Sequence, residues 1–238
     1  MFPSVAITAK DVESFWAGVR PLIHEEGKGP SEISRKDEIF TSKSQLITIA
    51  GGKLTGYRKM ADKVVTYVGE LLEAEGHTSY PTCQTDKIEL SGGKFGGSAN
   101  MPAFIEGKIK EGVALGLTEA EANRLAHRYG TNIDELYEIL REKGDEAKAS
   151  GLSLEVFASL VYGMDKEMVM TPSDFFIRRT SAMFFDVAWV QLWKDQVITY
   201  MADHFKWKED QKKAYQDELY QFIQEATKVM EEGGSSYE

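Results

Sequence analysis

The sequence is poor in cysteine, and its other candidate metal ligands are scattered. Cys83 is the only cysteine among 238 residues, which excludes an intramolecular disulfide and a zinc site built from cysteines. The histidines His24, His77, His127 and His204 are widely separated and show no HxxxH spacing. We therefore expect no metal site. A single cysteine is also typical of proteins from a reducing compartment, and we expect the chain to be cytoplasmic.

The sequence also lacks a long apolar run. A membrane-spanning helix needs about 18 predominantly apolar residues, and the most apolar stretch, residues 182–193, is interrupted by Asp186 and Gln191. This stretch predicts a buried helix. The first residues show no basic region followed by an apolar run, so we expect no secretory signal. With 28 basic against 38 acidic residues, the net charge is −10, and we expect no nucleic acid partner.

Well-known catalytic and nucleotide-binding signatures are missing too. The sequence contains no GxGxxG fingerprint, no Walker A loop and no nucleophile elbow. What is present is a change of period over residues 46–76. Residues 46–50 are apolar and β-branched, which predicts a strand, and from Tyr57 the apolar residues recur at helical spacing until Gly76.

The turn between this strand and helix is the first candidate site. It consists of Gly51, Gly52, Lys53, Leu54 and Thr55. Paired glycines bring backbone amides close to a ligand, and the start of a helix favours negative charge. The spacing alone leaves two interpretations open, an anion or cofactor site and a plain strand–helix turn.

Two arginines are further candidates. Arg20 lies between apolar residues and Pro21, and a guanidinium fixed in direction is suited to carboxylate or phosphate. The alternative is a buried arginine bonded to backbone carbonyls. Arg35 lies in residues 33–37, which by themselves are interpreted as a charged surface loop. Together with Lys53, these cations suggest convergence on one anion.

Beyond Pro102 the sequence predicts only helices. Thr118 and Glu121 fit a capping box, and Thr131 or Asn132 is expected to cap the following helix. Residues 152–162 predict a short helix, and residues 171–174, Thr-Pro-Ser-Asp, form a helix start signal. Long amphipathic helices are predicted to about residue 204 and over 209–232.

The predicted fold class is therefore α+β. A small α/β part occupies residues 1–76, and a glycine-rich connector follows over residues 77–100. Residues 101–238 form an all-helical part.

Four segments, taken together, resemble the FAD-dependent glycerol-3-phosphate dehydrogenases. They are SFWAGVRPLI (14–23), SRKD (34–37), IAGGKLTGYRKMA (49–61) and DFFIRRT (174–180). Their order and spacing match as well, so the resemblance covers essentially the whole chain. The related glycerophosphate oxidases carry a long insertion before the Gly-Gly-Lys segment. Its absence here favours the dehydrogenase branch.

The resemblance implies roles for the candidate residues. Arg20 corresponds to the catalytic arginine near the flavin and the substrate hydroxyl. Arg20, Arg35 and Lys53 correspond to substrate-binding cations, and residues 51–55 to the cofactor-binding turn. The α/β part would be a remnant of the FAD and substrate domain, and the helical part would be the family's C-terminal cap domain.

The implied reaction is oxidation of sn-glycerol 3-phosphate to dihydroxyacetone phosphate, with hydride transfer to FAD and electrons passed to a quinone. In the resembling family the FAD fingerprint lies upstream, so we expect this chain to be a C-terminal part that lacks most of the flavin site. Alone it would lack FAD and activity. The full enzyme would contact the inner face of the cell membrane peripherally, and self-association into a homo-oligomer stays open.

Two alternatives from other classes remain. The chain could act only as a helical interaction or capping module. Alternatively, the glycine–lysine turn could serve another anionic ligand.

Overall fold

The computed structural model describes residues 6, 8, 11–19, 37–51 and 53–228. Their contacts divide into two compact units, residues 18–89 and residues 1–17 together with 90–238. Two strands and one α-helix lie in the first unit, and the described part of the second contains only helices. The predicted α+β class is confirmed. None of the described helices has both the length and the apolar character that crossing a membrane requires.

The strands form an antiparallel hairpin. Strand β1 covers Asp37–Thr41 and strand β2 covers Ile47–Gly51, with Ile39 opposite Ile49. The strand predicted over residues 46–50 is thus confirmed within one residue. The interpretation of residues 33–37 as a surface loop is wrong at Asp37, which begins β1. The alternation of Ile39 with its polar neighbours is a strand pattern.

Helix α1 covers Tyr57–Ala74 and begins and ends where the apolar period predicts. Gly76 follows it with φ 93°, a backbone conformation that glycine adopts without a steric cost. The helix is tied to β1 by Lys63, whose Nζ lies 2.6 Å from a carboxylate oxygen of Asp37. The hydroxyls of Tyr67 and Thr41 are hydrogen-bonded at 3.2 Å. These two contacts set the direction in which α1 leaves the hairpin.

The second unit is built from seven α-helices within the described residues. They are α2 (Met101–Ala114), α3 (Glu119–Tyr129), α4 (Ile133–Ser150), α5 (Leu154–Lys166), α6 (Ala182–Phe185), α7 (Val187–Phe205) and α8 (Glu209–Thr227). Phe157 on α5 and Phe175 and Phe176 before α6 are fully buried in one continuous core. Trp189 and Trp193 pack against that core, as their helical spacing suggests.

Side chains cap three of the eight α-helices among the described residues, namely α3, α5 and α7. The capping box of Thr118 and Glu121 is confirmed, and Ser153 caps α5 through the Val156 amide at 3.3 Å. Asn132 stands at the N-cap position of α4, one of the two residues predicted there, but its side chain forms no capping hydrogen bond. Its side chain donates to the Ser91 hydroxyl at 2.8 Å, and a 3₁₀ turn over Gly130–Asn132 leads into α4.

Residues 171–186 are less regular than the sequence predicts. Thr171 does accept a hydrogen bond from the Asp174 amide at 3.2 Å. The helix that starts there is a wide π turn over Asp174–Arg179. The apolar stretch that follows is broken by Asp186, which caps α7 through the Trp189 amide at 3.1 Å. One predicted buried helix is therefore two helices, α6 and α7.

The glycine-rich segment around Gly92 belongs to the helical unit by its contacts. The Gly92 carbonyl accepts from the Thr131 amide at 2.9 Å. A Cβ at Gly130 would lie 2.0 Å from that carbonyl, so the two backbones cross where no side chain fits. The contacts divide the chain between residues 89 and 90, inside the connector predicted over 77–100. The limits predicted for the three parts, at residues 76 and 101, describe domain boundaries. These contacts do not test them, and they stay predictions.

Candidate functional site

The predicted cofactor turn lies between β2 and α1. Gly51 ends β2 with φ 86°, a left-handed conformation that disfavours other residues. Lys53 is extended, and Leu54–Gly56 form a 3₁₀ turn that runs directly into α1. Lys53, Leu54 and Thr55 are all exposed, Leu54 to 90%. The structure thus shows the predicted strand, turn and helix in direct succession.

The start of α1 has an unusual charge pattern. It has no side-chain cap and no acidic residue in its first turn. Asp and Glu are favoured at this position because they balance the positive end of the helix dipole. Here Arg58 and Lys59 occupy the first turn instead, a few residues after Lys53. The amides and side chains at this helix start therefore favour an external anion.

One of these cations is already neutralised within the unit. Lys59 forms an ion pair with Asp62. The hydrogen bond between them raises the pKa of the Lys59 ammonium and lowers the pKa of the Asp62 carboxyl. Arg58 forms no ion pair with any residue that the structure describes. Lys53 and Arg58 are thus the cations left to meet an anion at this end of the helix.

A groove of about 630 Å³ runs beside the first turn of α1. It is lined by Thr55, Arg58, Lys59 and Asp62 from the helix side and by Cys83 and Asp86 from the loop after α1. Of the four predicted site residues that the structure describes, Thr55 alone lines it. The predicted turn and this groove are therefore neighbouring features that share the start of α1.

The structure brings together four of the seven predicted site residues, namely Gly51, Lys53, Leu54 and Thr55. Arg20, Arg35 and Gly52 lie outside the described residues, so their convergence on Lys53 stays a prediction. Arg58 was not singled out from the sequence. Its signal was available, because a basic residue in the first turn of a helix contradicts the usual preference for acids there.

The DFFIRRT segment (174–180) lies in the helical unit, and ion pairs within that unit account for its charged side chains. Arg178 pairs with Asp174 at 2.7 Å, an i,i+4 contact that supports the helical turn. Arg179 donates to both carboxylate oxygens of Glu167, its Nε at 2.8 Å. Among the residues described, no three His, Cys, Asp or Glu side chains meet as a metal site requires.

The described residues thus form a strand–turn–helix segment, whose helix start favours an anion, followed in the chain by an all-helical unit. The family model described as the C-terminal domain of alpha-glycerophosphate oxidase matches residues 83–212, more than half of the chain. The chain belongs to this family, and the resemblance inferred from the sequence is confirmed.

Individual relatives extend the match beyond the family model. The chain is 49% identical over 232 residues to an aerobic glycerol-3-phosphate dehydrogenase of Bacillus subtilis, covering 98% of the chain and 42% of that protein. A Staphylococcus aureus protein of the same name is 48% identical over 226 residues, covering 95% and 40%. The chain thus spans about two fifths of the length of these relatives.

A solved structure shows the same fold. The glycerol-3-phosphate dehydrogenase from Bacillus halodurans complexed with FAD superposes with a TM-score of 0.85 at 42% identity. The match covers 98% of this chain and 44% of that one. The strand–turn–helix segment and the helical unit therefore both have counterparts in a flavin-bound relative.

Proposed function

We propose that this chain forms the C-terminal part of an FAD-dependent enzyme that oxidises sn-glycerol 3-phosphate to dihydroxyacetone phosphate. The observation that carries the proposal is the start of α1. Gly51 ends β2 in a left-handed conformation, and the following helix has no acidic residue in its first turn. That geometry, in a chain matched along 98% of its length to an FAD-bound dehydrogenase, fits an anionic cofactor.

The residues of the turn fit FAD by their chemistry. Bound FAD supplies the acceptor for the substrate's hydride. On this proposal, the amides at residues 53–55 and the positive end of α1 stabilise negative charge on the reduced cofactor. Lys53 binds the substrate phosphate as a mobile cation, together with Arg35. Arg20 orients the substrate hydroxyl, whose proton a base removes.

The unit that carries the turn supports a further part of the proposal, that the chain alone is inactive. None of its described residues is buried, and an apolar groove of about 750 Å³ runs along α1 beside Ala61, Val65 and Tyr80. Val65 is 69% exposed. Since apolar surface of this kind is normally covered, we propose that the rest of the enzyme, which holds the FAD fingerprint, packs on it.

Electron transfer and location follow from the acceptor. We propose that electrons pass to a membrane quinone, so the complete enzyme works at the cytoplasmic face of the cell membrane as a peripheral protein. The net charge of −10 adds no attraction to an anionic lipid surface. Membrane contact would then depend on parts of the enzyme other than the average charge of this chain.

The second candidate function is a helical capping module without a catalytic role. It is favoured by the helical unit, whose side chains form a complete core of their own. This function would keep the helices indispensable for stability while the turn at residues 51–55 contributed nothing to turnover. Substitutions in the turn at residues 51–55 therefore distinguish the two candidate functions.

A chimaera tests the proposal. This chain replaces the matching 232 residues of the Bacillus subtilis relative, and dye-linked oxidation of glycerol 3-phosphate is measured. We expect activity in the parent chimaera and a loss of about tenfold or more in kcat/KM for Lys53→Met, as expected for a lost charged contact. Lys110→Met, at an exposed lysine of the helical unit that pairs with Glu106, is the matched control. A folded, FAD-loaded chimaera in which Lys53→Met keeps full activity would favour the capping module.

A further inference from the structure

A further cavity lies in the helical unit. Its lining residues are far along the chain from the predicted cofactor turn. The cavity is half-open, with a volume of about 480 Å³, and lies where the ends of α3 and α5 meet the π turn at Asp174–Arg179. Eight polar side chains line it: Ser91, Arg128, Tyr129, Asn132, Tyr162, Lys166, Glu167 and Arg179. Nothing in the proposed oxidation uses this cavity.

The charges around the cavity are unbalanced toward the positive. Arg128, Lys166 and Arg179 face it, and Glu167 is the only acid among its lining residues. Glu167 holds Arg179, and Glu135 pairs with Lys166 at 2.9 Å. Arg128 forms no ion pair within the described part of the chain. Because Lys166 and Arg179 are paired with carboxylates, Arg128 is the cation of this lining that is left to meet an anion.

Neutral hydrogen-bond donors complete the lining. The Ser91 hydroxyl accepts from the Asn132 amide nitrogen at 2.8 Å, which leaves its own proton free to donate into the cavity. Tyr162 is only 5% exposed and still reaches the cavity wall. Its neighbour Tyr129 packs edge-on against it, with ring centroids 5.3 Å apart. Donors that are held by packing and buried on one side are typical of a ligand site.

The backbone around Ser91 is held rigidly. Gly92 and Gly130 cross so closely that neither position accepts a Cβ without a clash, at 2.6 Å and 2.0 Å respectively. The bond from the Thr131 amide to the Gly92 carbonyl fixes the crossing. Ser91 and Asn132 are therefore positioned before any ligand arrives, which reduces the entropy lost on binding.

A purely structural explanation accounts for part of this arrangement. Arg128 and Lys166 lie in the last turns of α3 and α5, and Arg179 in that of the π turn, where cations balance the helix dipole. Each of those contacts is satisfied on an open surface. That explanation does not account for the Ser91 and Tyr162 hydroxyls, which line the same cavity as the three cations.

We propose that this cavity of the helical unit binds the phosphate group of a small anion, a function beyond the proposed oxidation. Arg128 provides the principal charged contact, Lys166 a second, and the Ser91 and Tyr162 hydroxyls donate to the remaining oxygens. Arg179 keeps its ion pair with Glu167 and lines the cavity wall.

Calorimetric titration of the full chain with inorganic phosphate at constant ionic strength tests the site. We expect saturable binding that weakens about tenfold in Arg128→Gln, the loss of one charged hydrogen bond. Lys110→Gln is the matched control, since Lys110 is an exposed lysine on α2 paired only to Glu106. Binding should be unchanged in the control. Lys166→Gln gives a second, independent loss at the same cavity.

A parallel arm distinguishes a free phosphate from a lipid headgroup. Vesicles of phosphatidylcholine with and without phosphatidic acid are sedimented with the chain and with each variant. Binding that depends on Arg128 but occurs only on phosphatidic acid vesicles would support the site with a lipid phosphate as its ligand. The proposal is overturned if neither probe binds, or if Arg128→Gln and Lys110→Gln behave alike in both arms. Far-UV circular dichroism of each variant verifies the fold.

Discussion

The two units of the chain differ most in what their apolar side chains touch. In the helical unit, Phe157, Phe175 and Phe176 are completely enclosed by neighbouring helices. In the unit of residues 18–89, none of the described side chains is buried. Both units have helices with a clear apolar face. The difference teaches that an amphipathic sequence fixes a helix and the face it will bury, while the surface that covers this face has to come from elsewhere.

The two units also differ in what they contribute: one provides a stable core, and the other carries the turn that we propose for the cofactor. The helical unit has a core that can hold it together, and its charged pairs, such as Arg124 with Glu155 at 2.6 Å, tie one helix to another. The smaller unit carries the turn that we propose for the cofactor. One unit thus has a buried core of its own, whereas the described residues of the other have none.

The largest expected effect is on the core of the helical unit. Phe157→Ala should lower its free energy of unfolding by about 3–5 kcal/mol, because a large buried ring leaves a cavity. Val65→Ala on α1 should change it by less than about 0.5 kcal/mol. The four tryptophans, Trp16, Trp189, Trp193 and Trp207, all belong to the helical unit, so urea unfolding followed by tryptophan fluorescence measures it selectively. Equal effects of the two substitutions on the free energy of unfolding would contradict the difference between the two units.

A smaller effect is expected where α2 and α4 approach each other. A Cβ at Gly112 would lie 2.4 Å from the Tyr137 hydroxyl and 2.8 Å from Ala122. Gly112→Ala should therefore destabilise the helical unit by about 1–3 kcal/mol. Gly107→Ala lies on the same helix with nothing within 4 Å, and it should stabilise by up to about 1 kcal/mol through helix propensity. Thermal unfolding of both variants gives the signs, and two shifts of the same sign would refute the close approach.

The smallest effect is a change with pH. Burial raises the pKa of the Tyr137 phenol to about 12, and its hydroxyl donates to the Lys108 carbonyl at 2.7 Å. An unfolded tyrosine loses its proton near pH 10. Stability is therefore fully present below pH 10 and falls as the pH rises from 10 to 12, because only the unfolded state releases the proton there. Tyr137→Phe should be less stable at pH 8 and show a shallower decline above pH 10. An identical alkaline slope in both proteins would contradict this account.

Much of the fold can be predicted from local sequence signals. The strand β2, the span of α1 and the Thr118 capping box each depend on residues within a turn of one another, so periodicity and capping preferences suffice. The bond of Asn132 to Ser91 joins residues 41 apart, and no local preference contains it. The π turn at Asp174–Arg179 and the break at Asp186 also depend on how Phe175 and Phe176 pack into the core.

The candidate site was predictable to a similar extent. The turn at residues 51–55 follows from a strand, two glycines and a helical period. Arg58 could have been identified from the same segment, because it replaces an expected acid. The predicted convergence of Arg20, Arg35 and Lys53 is a long-range relation, which the three cations suggested and the resemblance to a family supported. Such relations are set by tertiary packing, which spacing along a chain does not encode.

The most direct test of the account is flavin retention. The isolated chain and the chimaera with the Bacillus subtilis relative are each incubated with FAD and passed through gel filtration, and the flavin absorbance of the protein peak is recorded. We predict that the chimaera retains FAD in a one-to-one ratio and that the isolated chain retains none, because the turn at residues 51–55 forms only part of the cofactor site. Stoichiometric flavin on the isolated chain would contradict the account, since the smaller unit would then be complete without a partner.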